Sequence, residues 1–181
     1  DSTSGDVTID NYGTVLADGA DCDNCVVPEF ASSIAVSGSD LGEVSITNRA
    51  GAVIAANAEL TSVPTEAWLN SASVSELSAL AASTSGRLAI IGYVDDAESV
   101  TISNDGTIVG NIAVVDISGP VAGEVRIDNR GLWVTSGYSG TFNDGGVITN
   151  SGRIQSIGST LFYGSVENSG DLVASFTGEL S

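Results

Sequence analysis

The feature that most constrains this sequence is a short repeated unit, V-x-I-x-N-x-G-x-(I/V). Three segments match one another along the whole unit: residues 7–15 (VTIDNYGTV), 100–108 (VTISNDGTI) and 125–133 (VRIDNRGLW). Degenerate copies occupy residues 44–53 (VSITNRAGAV, with one inserted residue), 148–154 (ITNSGRI) and 166–172 (VENSGDL), and residues 84–88 form a weak seventh. Self-similarity of this kind is typical of repeat architectures.

Each unit predicts a strand, a bend and a second strand. Apolar residues alternate with polar ones before the bend, and burial resumes two places after the glycine. Glycine takes a positive φ at no steric cost, and asparagine offers an amide that bonds nearby backbone or the identical asparagine of the next repeat. The predicted bends are Asn11 and Gly13, Asn48 and Gly51, Asn104 and Gly106, Asn129 and Gly131, Asn150 and Gly152, and Asn168 and Gly170.

The spacing of the bends distinguishes two all-β architectures. An antiparallel sandwich also uses Asn and Gly in its hairpins. However, Gly106, Gly131, Gly152 and Gly170 are 25, 21 and 18 residues apart, an interval that suits one rung of a solenoid with two or three short strands. We therefore predict a single domain, residues 1–181, folded as a right-handed parallel β-helix (β-solenoid).

Two segments interrupt the repeats. Residues 17–30 form an Asp/Cys-rich loop, and residues 62–83 are the one stretch that predicts helix, as one broken or two short helices. The second stretch contains Pro64 near a helix start and a capping box from Ser73 to Glu76. Its apolar residues Trp68, Leu69, Val74, Leu77 and Leu80 are expected to cover the solenoid wall, with a partner-binding knob as the alternative.

The charge excludes several function classes. The formal net charge is −18, and all five cations are arginines. Duplex nucleic acid is not an expected partner, because its binding rests on a basic patch. With no His and no Lys, no base is available to activate a serine nucleophile, so we do not expect an enzyme. No apolar run reaches the roughly 18–20 residues that span a bilayer, so no membrane insertion is expected.

The Asp/Cys loop carries the sequence's two cysteines. Cys22 and Cys25 have the C-x-x-C spacing of a redox pair or half a zinc site, but further ligands are lacking, so we predict a structural disulfide and an oxidising compartment. Asp18, Asp21, Asp23 and Asn24 place four oxygen side chains within seven residues, which suits calcium. An acidic turn closed by the disulfide is the other interpretation, and the favoured one.

Stacked repeats would also bring charges together. If identical positions stack, opposite charges fall on adjacent rungs at Asp105 and Arg130 and at Arg153 and Asp171. We expect such exposed pairs to contribute about 0–1 kcal/mol each.

The N-x-G units resemble the degenerate repeats of parallel β-helical surface proteins, especially passenger regions of bacterial autotransporters and large adhesins. The resemblance covers roughly two-thirds of the chain. It implies a secreted or cell-surface location, a right-handed β-helix, and roles in adhesion, biofilm or surface coats.

No dedicated cap is visible at either end of the repeat array, and a solenoid end exposes unpaired backbone. We therefore expect copies of the chain to stack head to tail into a filament or coat, with Leu172, Phe176 and Trp68 as candidate interface residues. Because the chain is acidic, salt or calcium should promote this assembly. The alternative is a monomeric adhesin module that binds a cell-surface glycan or protein on a lateral face.

Overall fold

The computed structural model of the chain describes residues 5–16, 32–39, 41–57, 60, 62–84, 87–95, 97–116, 124–141 and 146–174. Within these ranges most residues lie in strands. The strands are β1 Gly5–Asn11, β2 Thr14–Leu16, β3 Ser32–Ser39, β4 Leu41–Asn48, β5 Val53–Ala55, β6 Leu88–Asp95, β7 Ser99–Asn104, β8 Thr107–Val109, β9 Asn111–Asp116, β10 Val125–Asn129, β11 Leu132–Thr141, β12 Val147–Asn150, β13 Arg153–Tyr163, β14 Ser165–Asn168 and β15 Asp171–Ala174. The helices are α1 Glu66–Ser71 and α2 Val74–Thr84.

The first sheet is built from the strand that precedes each N-x-G bend. Its order is β1-β4-β7-β10-β12-β14, and all its neighbouring strands run parallel. The register places identical motif positions beside each other, so that Ile46 lies between Ile9 and Ile102. Since side chains alternate across a strand, this register gathers the apolar motif residues into continuous rows on one face.

The second sheet has two arms that merge at β11. One arm follows the bends as β2-β5-β8-β11, the other runs β3-β6-β9-β11, and β13 and β15 extend the sheet beyond β11. Gly110, at φ 126°, separates β8 from β9, whereas β11 runs through both arms without a break. The repeats shorten toward the C-terminus in the connection that leads back to the first sheet, which comprises residues 117–124 between β9 and β10, residues 142–146 between β11 and β12, and Gly164 alone between β13 and β14.

The direction of neighbouring strands distinguishes the parallel solenoid from the antiparallel sandwich. Every strand pair recorded in the described part of the chain is parallel, so the antiparallel sandwich is wrong. The all-β prediction is confirmed as a mostly β chain with two parallel sheets and few helices.

The main core lies between the sheets. It consists of the stacked Val and Ile rows. In the row that follows each bend, Trp133 occupies the position that Ile54, Ile108 and Ile154 occupy in other repeats. Trp133 is fully buried, donates its indole N–H to the Gly110 carbonyl at 3.0 Å and meets the ring of Phe162 edge-on at 5.7 Å. A buried tryptophan needs such a partner for its N–H, so the larger side chain is accommodated without an unsatisfied donor.

The two helices cover the outer face of the second sheet. Thr65 caps α1 by accepting from the Trp68 N–H, and Ser73 and Glu76 form the predicted capping box of α2. Leu69 and Leu80 are buried, with Trp68 and Leu77 partly buried, in a second cluster that includes Val109, Leu132, Val134 and Ile157. The placement of Val74 in the buried face is wrong, because its side chain is 53% exposed. Neither described helix has the length and apolarity needed to cross a membrane.

Candidate functional site

The six motif asparagines form a column of side-chain hydrogen bonds along the first sheet. Each Nδ2 donates to Oδ1 of the asparagine in the following repeat. The donor–acceptor distances are 2.9 Å for Asn11 to Asn48, 2.8 Å for Asn48 to Asn104, 2.7 Å for Asn104 to Asn129, 2.6 Å for Asn129 to Asn150 and 2.7 Å for Asn150 to Asn168. All but Asn168 are buried, so the column holds adjacent repeats together where water cannot compete.

Each of the five buried asparagines also bonds the strand that begins after the next bend. The second Nδ2 bond goes to a backbone carbonyl 3.0–3.1 Å away. These acceptors are Val53, Thr107, Leu132, Arg153 and Asp171. Both amide hydrogens and the amide oxygen are thereby used, which neither an aspartate nor an apolar residue could reproduce. The asparagine column therefore joins the two sheets as well as the repeats.

The motif glycines serve a different purpose from the predicted one. Among the six, Gly51 alone has a positive φ, at 80°. A Cβ added at Gly131 would lie far inside contact distance of the Gly106 carbonyl oxygen, and one at Gly152 would do the same to the Gly131 carbonyl. The bends stack so closely that backbone of one repeat fills the place of a side chain in the next. Positive φ therefore favours glycine at Gly51, whereas close approach of the neighbouring backbone excludes a side chain at Gly106, Gly131, Gly152 and Gly170.

Two arginines neutralise acids across adjacent repeats on the exposed side of the bends. Arg130 donates to both carboxylate oxygens of Asp105, at 2.6 Å and 3.2 Å, so the predicted neighbours are in contact. The bond from Arg130 lowers the pKa of Asp105, and partial burial opposes this shift. Arg49 binds Asp10 at 2.8 Å and lies over the Tyr12 ring at 5.6 Å.

Arg153 behaves differently from the predicted pair with Asp171. The two residues are backbone neighbours in β13 and β15, but the described residues include no ion pair between them. The buried Arg153 guanidinium donates instead to Asn70 Oδ1 at 2.7 Å and Gln155 Oε1 at 2.6 Å, and its Nε has no hydrogen-bond partner among the described residues. Helix α1 lies over this position, so Asn70 reaches the guanidinium from 83 residues away.

The edge formed by β14 and β15 exposes positions that are core elsewhere. Val166 and Leu172 are 39% and 36% exposed, whereas Ile148 and Ile154, their equivalents one repeat earlier, are fully buried. At the opposite edge, Ile9 and Val15 are partly buried and pack against the core. The apolar rows thus run to both ends of the described array.

Within the described residues, the asparagine column is also open at both ends. Asn168 donates its Nδ2 to the Gly170 carbonyl within its own bend at 3.0 Å and is exposed. At the other end, Asn11 Oδ1 accepts the Gly13 N–H at 3.1 Å. A carbonyl oxygen has two lone pairs, and an amide nitrogen carries two hydrogens. One end of the array therefore presents a donor and the other an acceptor.

Exposed tyrosines lie on the lateral surface. Tyr138 is 62% exposed and its ring centroid is 6.1 Å from that of Tyr163, which is 37% exposed. Tyr12, at 75%, is the most exposed of the large hydrophobic residues described. Trp133, by contrast, belongs to the core.

A cavity of about 220 Å³ lies beside the helices and has no evident catalytic arrangement. Glu76 is the one ionisable group among its described lining residues, and bonds from the Ser73 hydroxyl and N–H lower the pKa of its carboxyl. The other lining residues are Asn57, Leu60, Ser62, Pro64, Trp68, Ala79 and Leu80.

Several predicted site residues lie outside the described ranges. They are the disulfide pair Cys22 and Cys25, the calcium candidates Asp18, Asp21, Asp23 and Asn24, and Phe176. Across the described ranges, no group of three or more acidic residues is arranged to hold a metal ion. Comparison with protein-family models, with curated proteins and with solved structures finds no match.

Proposed function

We propose that the chain is a right-handed parallel β-helix that serves as a non-catalytic structural subunit of an extracellular filament or coat and stacks head to tail with copies of itself. The single observation that carries this proposal is the exposed last repeat, where Val166 and Leu172 leave core positions uncovered. Unpaired edge strands that expose apolar residues are sites at which further strands add.

The energetics favour covering this edge. Full burial of a Val or Leu side chain contributes about 1.5–3 kcal/mol. The still exposed parts of Val166 and Leu172 would therefore add roughly 0.5–1 kcal/mol each, and each backbone bond made along the edge about 0.5–1.5 kcal/mol. A contact between the two different ends is heterologous, so it generates an open filament unless the rotation closes a ring.

The net charge of −18 opposes association. Like-charged subunits repel over a distance set by the Debye length, which falls from about 30 Å at 0.01 M to about 10 Å at 0.1 M salt. Assembly should therefore increase with salt. Sedimentation velocity and negative-stain electron microscopy at both ionic strengths test this, with longer particles expected at the higher one. Monodisperse monomers under every condition would overturn the filament proposal.

A second candidate function is a monomeric adhesin module. The Tyr138 and Tyr163 rings favour it, since adjacent exposed aromatic rings offer an apolar surface on which a sugar face can stack. A monomer that binds a glycan array, and loses that binding in Tyr138→Ala and Tyr163→Ala but not in Tyr12→Ala, would support the adhesin module over the filament.

A further inference from the structure

We propose that the junction between stacked copies continues the first sheet in register, with β14 of one copy paired to β1 of the next. Asn168 would then face Asn11, Val166 would face Ile9, and Glu167 would face Asp10. This inference rests on the proposed head-to-tail assembly and specifies the contact that forms it.

The internal register determines this alignment. At each of the five pairings in the first sheet, asparagine faces asparagine. A slip of one residue would turn the apolar row of β14 away from that of β1. A slip of two residues would keep the faces but separate Asn168 from Asn11 and misalign the bends. The in-register junction is the one that satisfies the apolar row and the asparagine column together.

The hydrogen-bonding ends are complementary in direction. In every internal pair the earlier asparagine donates and the later one accepts. Asn168 is the last donor and Asn11 the first acceptor, so a junction of β14 with β1 extends the column with its direction unchanged. A junction of β14 with a second β14 would not continue it. Two identical ends would meet with their strands antiparallel, and each would present an Asn168 donor to the other.

The second sheet would join at the same step. Pairing β15 with β2 in the internal register brings Leu172 to Val15 and Val173 to Leu16. Leu16 is 43% exposed, whereas Ala55, its neighbour in β5, is fully buried. The junction would therefore cover apolar surface on the outer face as well as in the core.

One position in this junction is unfavourable. Glu167 is exposed and would lie directly opposite Asp10, which is only partly neutralised by Arg49 of its own copy. Like charges facing each other across paired strands are destabilising by roughly 0.2–1 kcal/mol, which corresponds to about a 1.4- to 5-fold change in an equilibrium constant. The acidic pair therefore weakens the contact without preventing it.

Disulfide trapping tests the register directly. Thr8 and Ser165 are exposed and occupy equivalent positions in β1 and β14. Stacked strands lie about 4.7–4.9 Å apart, within the Cα separation of about 4.4–6.8 Å that a disulfide accepts. The variant Thr8→Cys/Ser165→Cys should form intermolecular disulfides on oxidation. Mass spectrometry identifies the linked peptides and distinguishes them from any that contain Cys22 or Cys25, so the native cysteines need not be replaced.

The matched control is Thr8→Cys/Glu167→Cys, which is displaced by two residues on the same face. Diagonal neighbours are about 7–8 Å apart, so this pair should cross-link poorly. Because this control removes the unfavourable Glu167 charge, it should assemble at least as well as the Thr8→Cys/Ser165→Cys variant. A weaker cross-link in the control would then result from the register of the strands and not from poorer assembly. Filaments that cross-link through the displaced pair, or through Ser165→Cys alone, overturn the inference and leave assembly standing. Absence of any particle longer than a monomer overturns both.

A charge variant gives a readout that does not depend on cysteine. Glu167→Gln should lower the critical concentration for assembly by about 1.4- to 5-fold. Glu98→Gln, which removes an exposed charge immediately before β7 in the middle of the array, is the control for net charge and should have a smaller effect. Equal effects of the two variants would contradict a junction at Glu167.

Discussion

Asn104 and Asn129 are joined by a side-chain hydrogen bond of 2.7 Å between repeats that are 25 residues apart in sequence. The remaining amide hydrogen of Asn104 bonds the Leu132 carbonyl at 3.1 Å, and its Oδ1 accepts from Asn48 at 2.8 Å. One side chain thus connects three repeats and both sheets, which is why the N-x-G bend serves as the organising element of the fold.

Replacing Asn104 should therefore be costly. Asn104→Ala leaves Oδ1 of Asn129 and the Leu132 carbonyl without this donor in a buried setting, where each unsatisfied group costs about 1–3 kcal/mol. We expect a loss of roughly 2–4 kcal/mol in the free energy of unfolding, measured by urea denaturation. The control is Asn168→Ala at the exposed end of the column, where less than about 1 kcal/mol should be lost. Equal losses at both positions would mean that burial of the column does not matter.

The glycines allow a sharper comparison. Gly131→Ala places a methyl group against the Gly106 carbonyl, so it should force the repeats apart and destabilise the chain by about 1–3 kcal/mol or more. Gly13→Ala meets no atom within 4 Å and should change stability by no more than about 0.5 kcal/mol. Thermal unfolding followed by circular dichroism compares the two, and a similar change in melting temperature would contradict the close-approach explanation.

The Asp105 and Arg130 pair predicts a pH dependence. Because the folded pKa of Asp105 is lowered, the pair stabilises the chain above the unfolded value of about 3.9, and this contribution is lost as pH falls through the folded pKa. Asp105→Asn should lower stability at pH 7 by at most about 1 kcal/mol, because the pair is substantially exposed. The difference from the parent chain should disappear below that pKa.

A double-mutant cycle with Arg130→Gln isolates the pair. If the two single variants and the double variant lose the same amount at pH 7, the stabilisation comes from the ion pair. Additive losses would assign it to separate contacts of the two residues.

The buried Arg153 predicts a stabilising substitution. Asn70→Asp would place a carboxylate at the position that now accepts from Arg153 at 2.7 Å. The buried Arg153 charge now bonds neutral amides, so a counter-charge at this position would offset part of the roughly 3–5 kcal/mol that an uncompensated buried charge costs. An acid in the last turn of α1 costs about 0.3–1 kcal/mol, so a net gain of roughly 1–2 kcal/mol is expected. The control is Ser71→Asp measured against Ser71→Ala, because both variants lose the Ser71 hydroxyl bonds to the Ala67 and Trp68 carbonyls at 3.1 Å, so that they differ in the helix-end charge. Chemical denaturation at low salt should separate Asn70→Asp from this control.

Much of the repeat architecture was predictable because its evidence is local. Alternation in the VTISN-type segments predicts strands, and the recurring Asn and Gly predict where the chain bends. The capping box at Ser73 and Glu76 likewise depends on residues three positions apart, and the structure contains it. The placement of Val74 in the buried face was wrong because a short helix can rotate on its sheet, and local pattern does not set that rotation.

The sequence by itself determined which residues are equivalent, since the motif aligns them without reference to any contact. Tertiary structure decided what each equivalent position does, because function at a position depends on what stacks above and below it. Gly131 has no room for a side chain because the Gly106 carbonyl of the neighbouring repeat occupies that place. Arg153 turns from Asp171 to Asn70 because helix α1 lies over it, a placement that depends on packing across 83 residues of chain.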